Sequence, residues 1–236
     1  MGKMITLEIY RYNPEKDAAP YMQAFEVPVV KQSMKLLDVL NHIKWHMDGT
    51  LTFRRSCGEG VCGSDGMNIN GVNGLACITP IQGLKQPIQV RPLPSMEVIR
   101  DLIVDTTHFF DQYRQIKPWL QAHVPTPEHE YLQSPEERAQ LDGSYECIMC
   151  GCCTTSCPSW WWNGDRFLGP AVLLQMDRWV KDSRDEALGE RLDQVEDAFK
   201  LYRCHQIMNC MEACPKGLNP TAAINHLKRV LLHRKS

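Results

Sequence analysis

The sequence predicts an α+β protein in two domains, strands around a single helix in residues 1–105 and helices alone in residues 106–236. Three observations carry this. Near the start, apolar residues alternate with polar ones, as in Ile5, Leu7 and Ile9, which is the period of a half-buried strand. Past Arg91-Pro92-Leu93-Pro94 the apolar residues fall at helical spacing instead. Finally, all but Cys152 of the 11 cysteines lie in three spaced groups, one in the first domain and two in the second.

Taken in order, residues 5–12 and 21–27 read as strands, with Asn13-Pro14 opening the turn between them. Ser33 is the expected cap of a helix that carries Leu36, Leu37, Leu40 and Ile43 on one face. A glycine-rich loop follows, then short strands near residues 67–70 and 88–90. Residues 98–116 carry apolar side chains at helical spacing and predict a helix. Val124-Pro125-Thr126-Pro127 reads as a stiff loop. Ser134-Pro135 and Asn219-Pro220 are cap-plus-first-turn starts, and Pro170 opens another helix.

The chemistry lies in the cysteines. Cys147-x2-Cys150-x2-Cys153-x3-Cys157-Pro158 is echoed by Cys204-x5-Cys210-x3-Cys214-Pro215. In the two-cluster pattern, three close cysteines grip one iron–sulfur cluster and the fourth, followed by proline, reaches the other. Crossing the fourth cysteines over assigns Cys147, Cys150, Cys153 and Cys214 to a [4Fe–4S] cluster. The remaining set, Cys157, Cys204 and Cys210, is one donor short, because Ile207 stands where a third close cysteine belongs. Isoleucine has no donor atom, so a [3Fe–4S] cluster is expected there. The other reading is a four-iron cluster completed by His205, Met208 or water.

Upstream, Cys57-x4-Cys62-x2-Asp65, followed by Cys77, fits the plant-type [2Fe–2S] spacing with aspartate in the third slot. A carboxylate is harder than a thiolate yet remains a ligand for ferric iron, and ligation by Asp65 is the expectation. The alternative is that Asp65 caps a turn, as Asx residues in glycine-rich loops do. Gly58, Gly60, Gly63 and Gly66 suit a loop that wraps a cluster with its backbone N–H groups. With this loop in place the element order is that of a plant-type β-grasp ferredoxin, followed by an all-α two-cluster domain of the bacterial-ferredoxin kind.

With these sites, the chain resembles the iron–sulfur subunits of bacterial succinate dehydrogenases. The resemblance runs through Tyr10-Arg11-Tyr12-Asn13-Pro14, Arg54-Arg55-Ser56-Cys57, Arg91-Pro92-Leu93-Pro94, Ile99-Arg100-Asp101-Leu102-Ile103-Val104-Asp105, Asn209-Cys210 and Cys214-Pro215-Lys216-Gly217-Leu218-Asn219-Pro220. It implies an electron path through [2Fe–2S], [4Fe–4S] and [3Fe–4S] clusters to ubiquinone, in the respiratory chain and the tricarboxylic acid cycle. It also implies a FAD-containing flavoprotein partner and one or two hydrophobic membrane anchors, with or without haem. The expected place is the cytoplasmic face of a bacterial inner membrane. By the same resemblance Trp162 donates to the quinone, and Pro158, Ser159, His205 and Ile207 line its pocket. Trp160 and Trp161 are expected in the core.

Other classes fare less well. A quinol:fumarate reductase subunit shares the architecture but is disfavoured by Asp65 and by the tryptophan run. A lone soluble ferredoxin or a heterodisulfide-reductase-like subunit does not combine both domains. Zinc sites need four ligands, and two of the cysteine sets offer three. No nucleotide-binding glycine fingerprint is present, so flavin and dicarboxylate chemistry are expected on another subunit. Cys152 is expected to be a buried, inert thiol. The start Met1-Gly2-Lys3-Met4-Ile5-Thr6 satisfies a loose myristoylation pattern, but its continuation reads as a strand. No run approaches the roughly 20 apolar residues of a membrane span. A net charge of −2, with scattered basic residues, gives no nucleic-acid signature.

Overall fold

The computed structural model describes residues 4–122 and 127–235, so Met1, Gly2 and Lys3 of the myristoylation pattern, and Val124, Pro125 and Thr126 of the expected stiff loop, lie outside the described residues. In chain order the elements are β1 (Met4–Arg11), β2 (Tyr21–Pro28), α1 (Leu36–His46), β3 (Gly66–Ile69), β4 (Val72–Leu75), β5 (Ile88–Arg91), β6 (Val98–Arg100), β7 (Ile103–Val104) and α2 (Thr107–Gln115). There follow α3 (Pro135–Ala139), α4 (Cys152–Thr155), α5 (Pro158–Asn163), α6 (Gly169–Lys181), α7 (Leu188–Val195), α8 (Asn209–Glu212) and α9 (Pro220–Lys235). Two compact units result: Met1–Thr106 with Ile148–Ser156, and Thr107–Cys147 with Cys157–Ser236.

In the first unit a five-stranded sheet runs in the order β2-β1-β5-β3-β4. Strand β1, next to the β2 edge, is antiparallel to β2 and parallel to the central strand β5, with Leu7 opposite Ile88 and Ile9 opposite Val90. The alternation seen in the sequence sends Ile5, Leu7 and Ile9 into the same core as Leu36, Leu40 and Ile43 of α1. Each such side chain, fully buried, stabilises by about 1.5 to 3 kcal/mol relative to exposure. The hairpin β3-β4 turns at Asn70-Gly71, where φ is 49° and 89°, the left-handed pair a tight primed turn requires.

Two expectations are corrected here. Ser33 does not cap α1; the N-cap is Lys35, whose backbone N–H donates to Asp38 Oδ2 at 2.8 Å. The next amides, of Leu36 and Leu37, donate to the carbonyls of Thr79 and Ala76 at 2.9 and 3.0 Å, so tertiary contacts supply what a serine hydroxyl would have supplied. Nor is 98–116 one helix. Val98–Arg100 and Ile103–Val104 pair as a small hairpin and α2 begins at Thr107.

The break falls at Asp101, which has φ of 46° and is 2% exposed. Its carboxylate accepts from Arg11 Nε at 3.1 Å and from the backbone N–H groups of Tyr12 and Thr52 at 2.9 Å each. The Arg11 guanidinium, also buried, donates in addition to Asp48 at 2.7 Å and Thr50 at 2.8 Å. A buried charge held by several partners outweighs helical periodicity.

The second unit is helical over its described residues. Ser134 accepts from the Glu137 N–H at 3.2 Å, and Asn219 Oδ1 accepts from the Ala222 N–H at 2.9 Å, so both predicted starts form as expected. Helix α6 starts at Gly169-Pro170, is buried over most of its length and packs on α9 and α7, with Leu174 and Ala223 in one apolar cluster. Arg191, 0% exposed, donates to Asp185 and to the carbonyls of Ile116, Lys117 and Trp119, which fastens the chain beyond α2 to α7.

Replacing Asp101 with Ala leaves Arg11 with Asp48 as its remaining carboxylate but strands two backbone donors, and is expected to destabilise the protein by about 2 to 6 kcal/mol. Asp101→Asn, which keeps an acceptor, should lose less. Thermal unfolding of the assembled protein with the two variants side by side checks the order.

Candidate iron–sulfur sites

The loop between α1 and β3 is held by its own backbone. Three N–H groups, of Glu59, Val61 and Cys62, point at Cys57 Sγ, each at 3.3 Å. They favour the thiolate and bring Cys57 down to about 7. Cys62 Sγ lies 3.1 Å from the Ser64 hydroxyl. Cys77 is buried, and burial followed by the adjacent Asp65 carboxylate pushes its thiol up to about 12. Cys57 thus lies beside Cys62 in the loop, and Cys77, just past β4, lies beside Asp65 and feels the charge of Cys57.

Asp65 is 2% exposed and its two oxygens differ. Oδ2 accepts from the Cys77 N–H at 2.5 Å, while Oδ1 is buried with no hydrogen-bond partner. A bare buried carboxylate oxygen is costly unless something else fills its coordination. An iron ion beside Cys77 would do so, and these residues therefore fit a [2Fe–2S] cluster with Asp65 as a donor. The turn-cap reading accounts for Oδ2 and leaves Oδ1 unexplained.

Glycines flank that aspartate for a reason of space. Gly63, at φ of 69°, would place a Cβ 2.9 Å from Cys150 Cβ and 3.0 Å from the Ile148 carbonyl oxygen. Gly66 would place one 3.1 Å from the Cys150 carbonyl oxygen. The segment carrying Cys150 therefore packs directly on the loop. Asn73 of β4, 6% exposed, donates to the Cys152 carbonyl at 3.1 Å and to Thr155 Oγ1 at 3.0 Å, tying α4 to the sheet.

Of the expected four-iron ligands, Cys150 and Cys153 belong to this first unit, and Cys147 and Cys214 to the second. Cys147 and Cys214 both pack on Leu174, Leu218 and Ala223, and the Leu218 N–H points at Cys214 Sγ at 3.4 Å. Cys150 is held below the ordinary thiol range, first by a hydrogen bond from Cys152. Cys152 is fully buried, as expected, and it also serves the neighbouring sulfur, a role the spacing does not reveal.

Cys157, Cys204 and Cys210 line one pocket, and Ile207, His205, Pro158 and Ser159 share its wall. Burial raises the Cys157 and Cys210 thiols, and each also feels the charge of Cys204. Thr221 Oγ1 lies 3.3 Å from Cys210 Sγ, and Lys228 Nζ donates to the Cys204 carbonyl at 3.0 Å. Ile207 reaches the pocket with no donor atom to offer. Three thiols facing one cavity beside an aliphatic side chain fit a cluster with one corner unligated. Among the described residues, no group of three His, Cys, Asp or Glu side chains closes on a single metal ion.

Trp162 is not part of that pocket lining; it stands 78% exposed on α5. Trp160 is 5% exposed, as expected of a core residue. Trp161 is 44% exposed, and the core expectation fails for it, because a short helix can bury only one side.

Fold and donor sets together define an iron–sulfur electron-transfer protein that joins a plant-type loop on a mixed sheet to a helical two-cluster region. Residues 6–111 match the family described as 2Fe-2S iron-sulfur cluster binding domain, and residues 143–218 match the 4Fe-4S dicluster domain. The chain is 53% identical over 226 residues to the succinate dehydrogenase iron-sulfur subunit of Paracoccus denitrificans, covering 96% of this chain and 87% of that one. It superposes on a chain of the Mycobacterium smegmatis Sdh1 complex in the apo form with a TM-score of 0.87 at 23% identity, covering 100% of this chain and 98% of that one. A hypothetical protein from Helicobacter pylori shares the fold at a TM-score of 0.60 and 14% identity, over 97% of this chain and 39% of that one. The chain belongs to the family of succinate dehydrogenase iron–sulfur subunits, and its part in that enzyme is electron transfer.

If Asp65 is a donor to iron, Asp65→Ala should lower [2Fe–2S] content several-fold, whereas Asp65→Cys should keep the cluster with an altered spectrum. EPR of the reduced protein reads both. Full occupancy and an unchanged spectrum in Asp65→Ala would return Asp65 to a turn cap.

Proposed function

We propose that this chain carries electrons from succinate, oxidised to fumarate on a FAD-bearing partner, to ubiquinone bound beside the pocket of Cys157, Cys204 and Cys210. The reading rests above all on that pocket, where three thiols and Ile207 stand together with Pro158, Ser159 and His205. When bound, the clusters supply one-electron steps in series, [2Fe–2S] then [4Fe–4S] then [3Fe–4S], toward a quinone that takes two electrons and two protons.

The residues divide the work. Cys57, Cys62, Asp65 and Cys77 hold the first cluster, and the N–H groups on Cys57 steady its thiolate charge. Cys147, Cys150, Cys153 and Cys214 hold the second, an assignment that rests on their spacing. Cys157, Cys204 and Cys210 hold the third, and Ile207 keeps a fourth iron out. Trp162 offers its indole N–H to a quinone carbonyl, while Pro158, Ser159, His205 and Ile207 shape the pocket and His205 is placed to move a proton. Among the described residues no helix is long and apolar enough to cross a membrane. Hydrophobic anchor subunits, with or without haem, would bring the chain to the cytoplasmic face of a bacterial inner membrane and complete its link between the tricarboxylic acid cycle and the respiratory chain. The opposite direction, quinol to fumarate, is the runner-up.

Two substitutions test the exit. Trp162→Phe removes a hydrogen bond of about 1 to 2 kcal/mol and keeps most of the packing. Quinone reduction should fall by about five- to thirtyfold at unchanged cluster content; unaltered quinone kinetics would remove Trp162 from the site. Ile207→Cys restores the missing donor. The oxidised protein should then lose its [3Fe–4S] EPR signal as a fourth iron is retained, and electron delivery to quinone should slow. A persisting three-iron signal in Ile207→Cys would show that this position does not govern the missing iron.

A further inference from the structure

Gln112 lies on α2, away in sequence from every cysteine motif, and is 1% exposed. Both polar atoms of its amide are used on the segment that follows Cys157. Nε2 donates to the carbonyls of Gly164 at 2.7 Å and Phe167 at 3.0 Å, and Oε1 accepts from the Trp160 indole N–H at 3.2 Å. One turn earlier, His108 Nε2 meets the same Gly164 carbonyl at 2.5 Å, and because a carbonyl only accepts, that nitrogen carries the proton. Gly164 is folded so tightly on α5 that a Cβ there would stand 2.8 Å from the Trp160 carbonyl oxygen.

Helix α5 has six residues. Helices shorter than about 12 residues do not hold themselves in water, so its orientation comes from outside. Its N-cap is Cys157, its first two residues are Pro158 and Ser159 of the pocket, and Trp162 projects from its last turn. Three hydrogen bonds from one buried amide fix the far end of this short lever.

We propose that Gln112 is a positioning residue for the quinone exit: it sets the angle of α5, and with it the places of Pro158, Ser159 and Trp162, without touching the quinone. This rests on the reading above that those residues meet the quinone. A buried amide that merely stabilised the unit would lower assembly and every rate together; a positioning residue shifts quinone affinity selectively.

The test uses the membrane-bound complex. Gln112→Leu removes all three bonds. Gln112→Glu keeps the shape and the acceptor for Trp160, but its carboxylate cannot donate to the two carbonyls. Each variant is assayed for quinone KM and kcat, for electron transfer to a soluble dye that needs no quinone pocket, and for the [3Fe–4S] signal per flavin.

The expected result is a quinone KM raised about five- to tenfold in Gln112→Leu, and in the same direction in Gln112→Glu, with the ratio of quinone to dye activity falling at sub-saturating quinone. An unchanged quinone KM, or dye activity and cluster signal falling in step with quinone activity, overturns the positioning role. Should Gln112→Leu fail to assemble, Gln112→Glu decides alone. Trp162→Phe, run alongside, separates the two claims. A raised KM there with unchanged KM in the Gln112 variants overturns the role of Gln112 and leaves the quinone reading standing; unchanged KM in all of them overturns both.

Discussion

The number of donor atoms a chain can bring to a cluster corner is the constraint from which the rest of this protein follows. Iron at such a corner needs a thiolate, a carboxylate or an imidazole, and a side chain without a donor excludes it. In the first loop the third slot holds a carboxylate, Asp65: one oxygen accepts from the Cys77 N–H while the other is buried with no hydrogen-bond partner, and our reading is that it serves iron. In the last pocket the corresponding slot holds Ile207, and our reading is that the iron is missing there by design.

Donors must also be held still, and each set is fixed by groups outside its own motif. The Ala76 and Thr79 carbonyls that flank Cys77 receive the first amides of α1, so the fourth cysteine of the loop is anchored to a helix end. Asn73 and the two glycines beside Asp65 press the Cys150 segment onto the loop. Thr221 and Lys228, both on α9, reach Cys210 and the Cys204 carbonyl. Such outer contacts orient ligands and set the charge around them, which is how a protein tunes a cluster it does not otherwise alter.

Much of this was legible in the sequence, and the failures have physical causes. The repeated cysteine spelling, read with its fourth cysteines crossed over, anticipated that Cys157, Cys204 and Cys210 line one pocket, because the two-cluster pattern carries that long-range pairing within it. Strand alternation and the proline-marked helix starts at Pro135, Pro170 and Pro220 were legible because such signals are local. Ser33 and the run 98–116 misled because tertiary partners, the loop carbonyls in one case and Arg11 with Asp101 in the other, overrode local propensity. The hairpin at Asn70-Gly71 carries a local signal of its own, the Asn-Gly pair of a primed turn. Gln112, Asn73 and Lys228 carried none, since a lone polar residue on a helix or strand does not announce a partner dozens of residues away.

The most direct measurement is low-temperature EPR of the oxidised wild-type complex, quantified against its iron and flavin. If donor count governs, the oxidised protein shows a [3Fe–4S] signal of one spin per chain, with the other two clusters silent until reduced. An oxidised protein without that signal, whose iron content demands a second four-iron cluster, would mean that some other group stands in for the missing thiolate, and the account would be contradicted at its root.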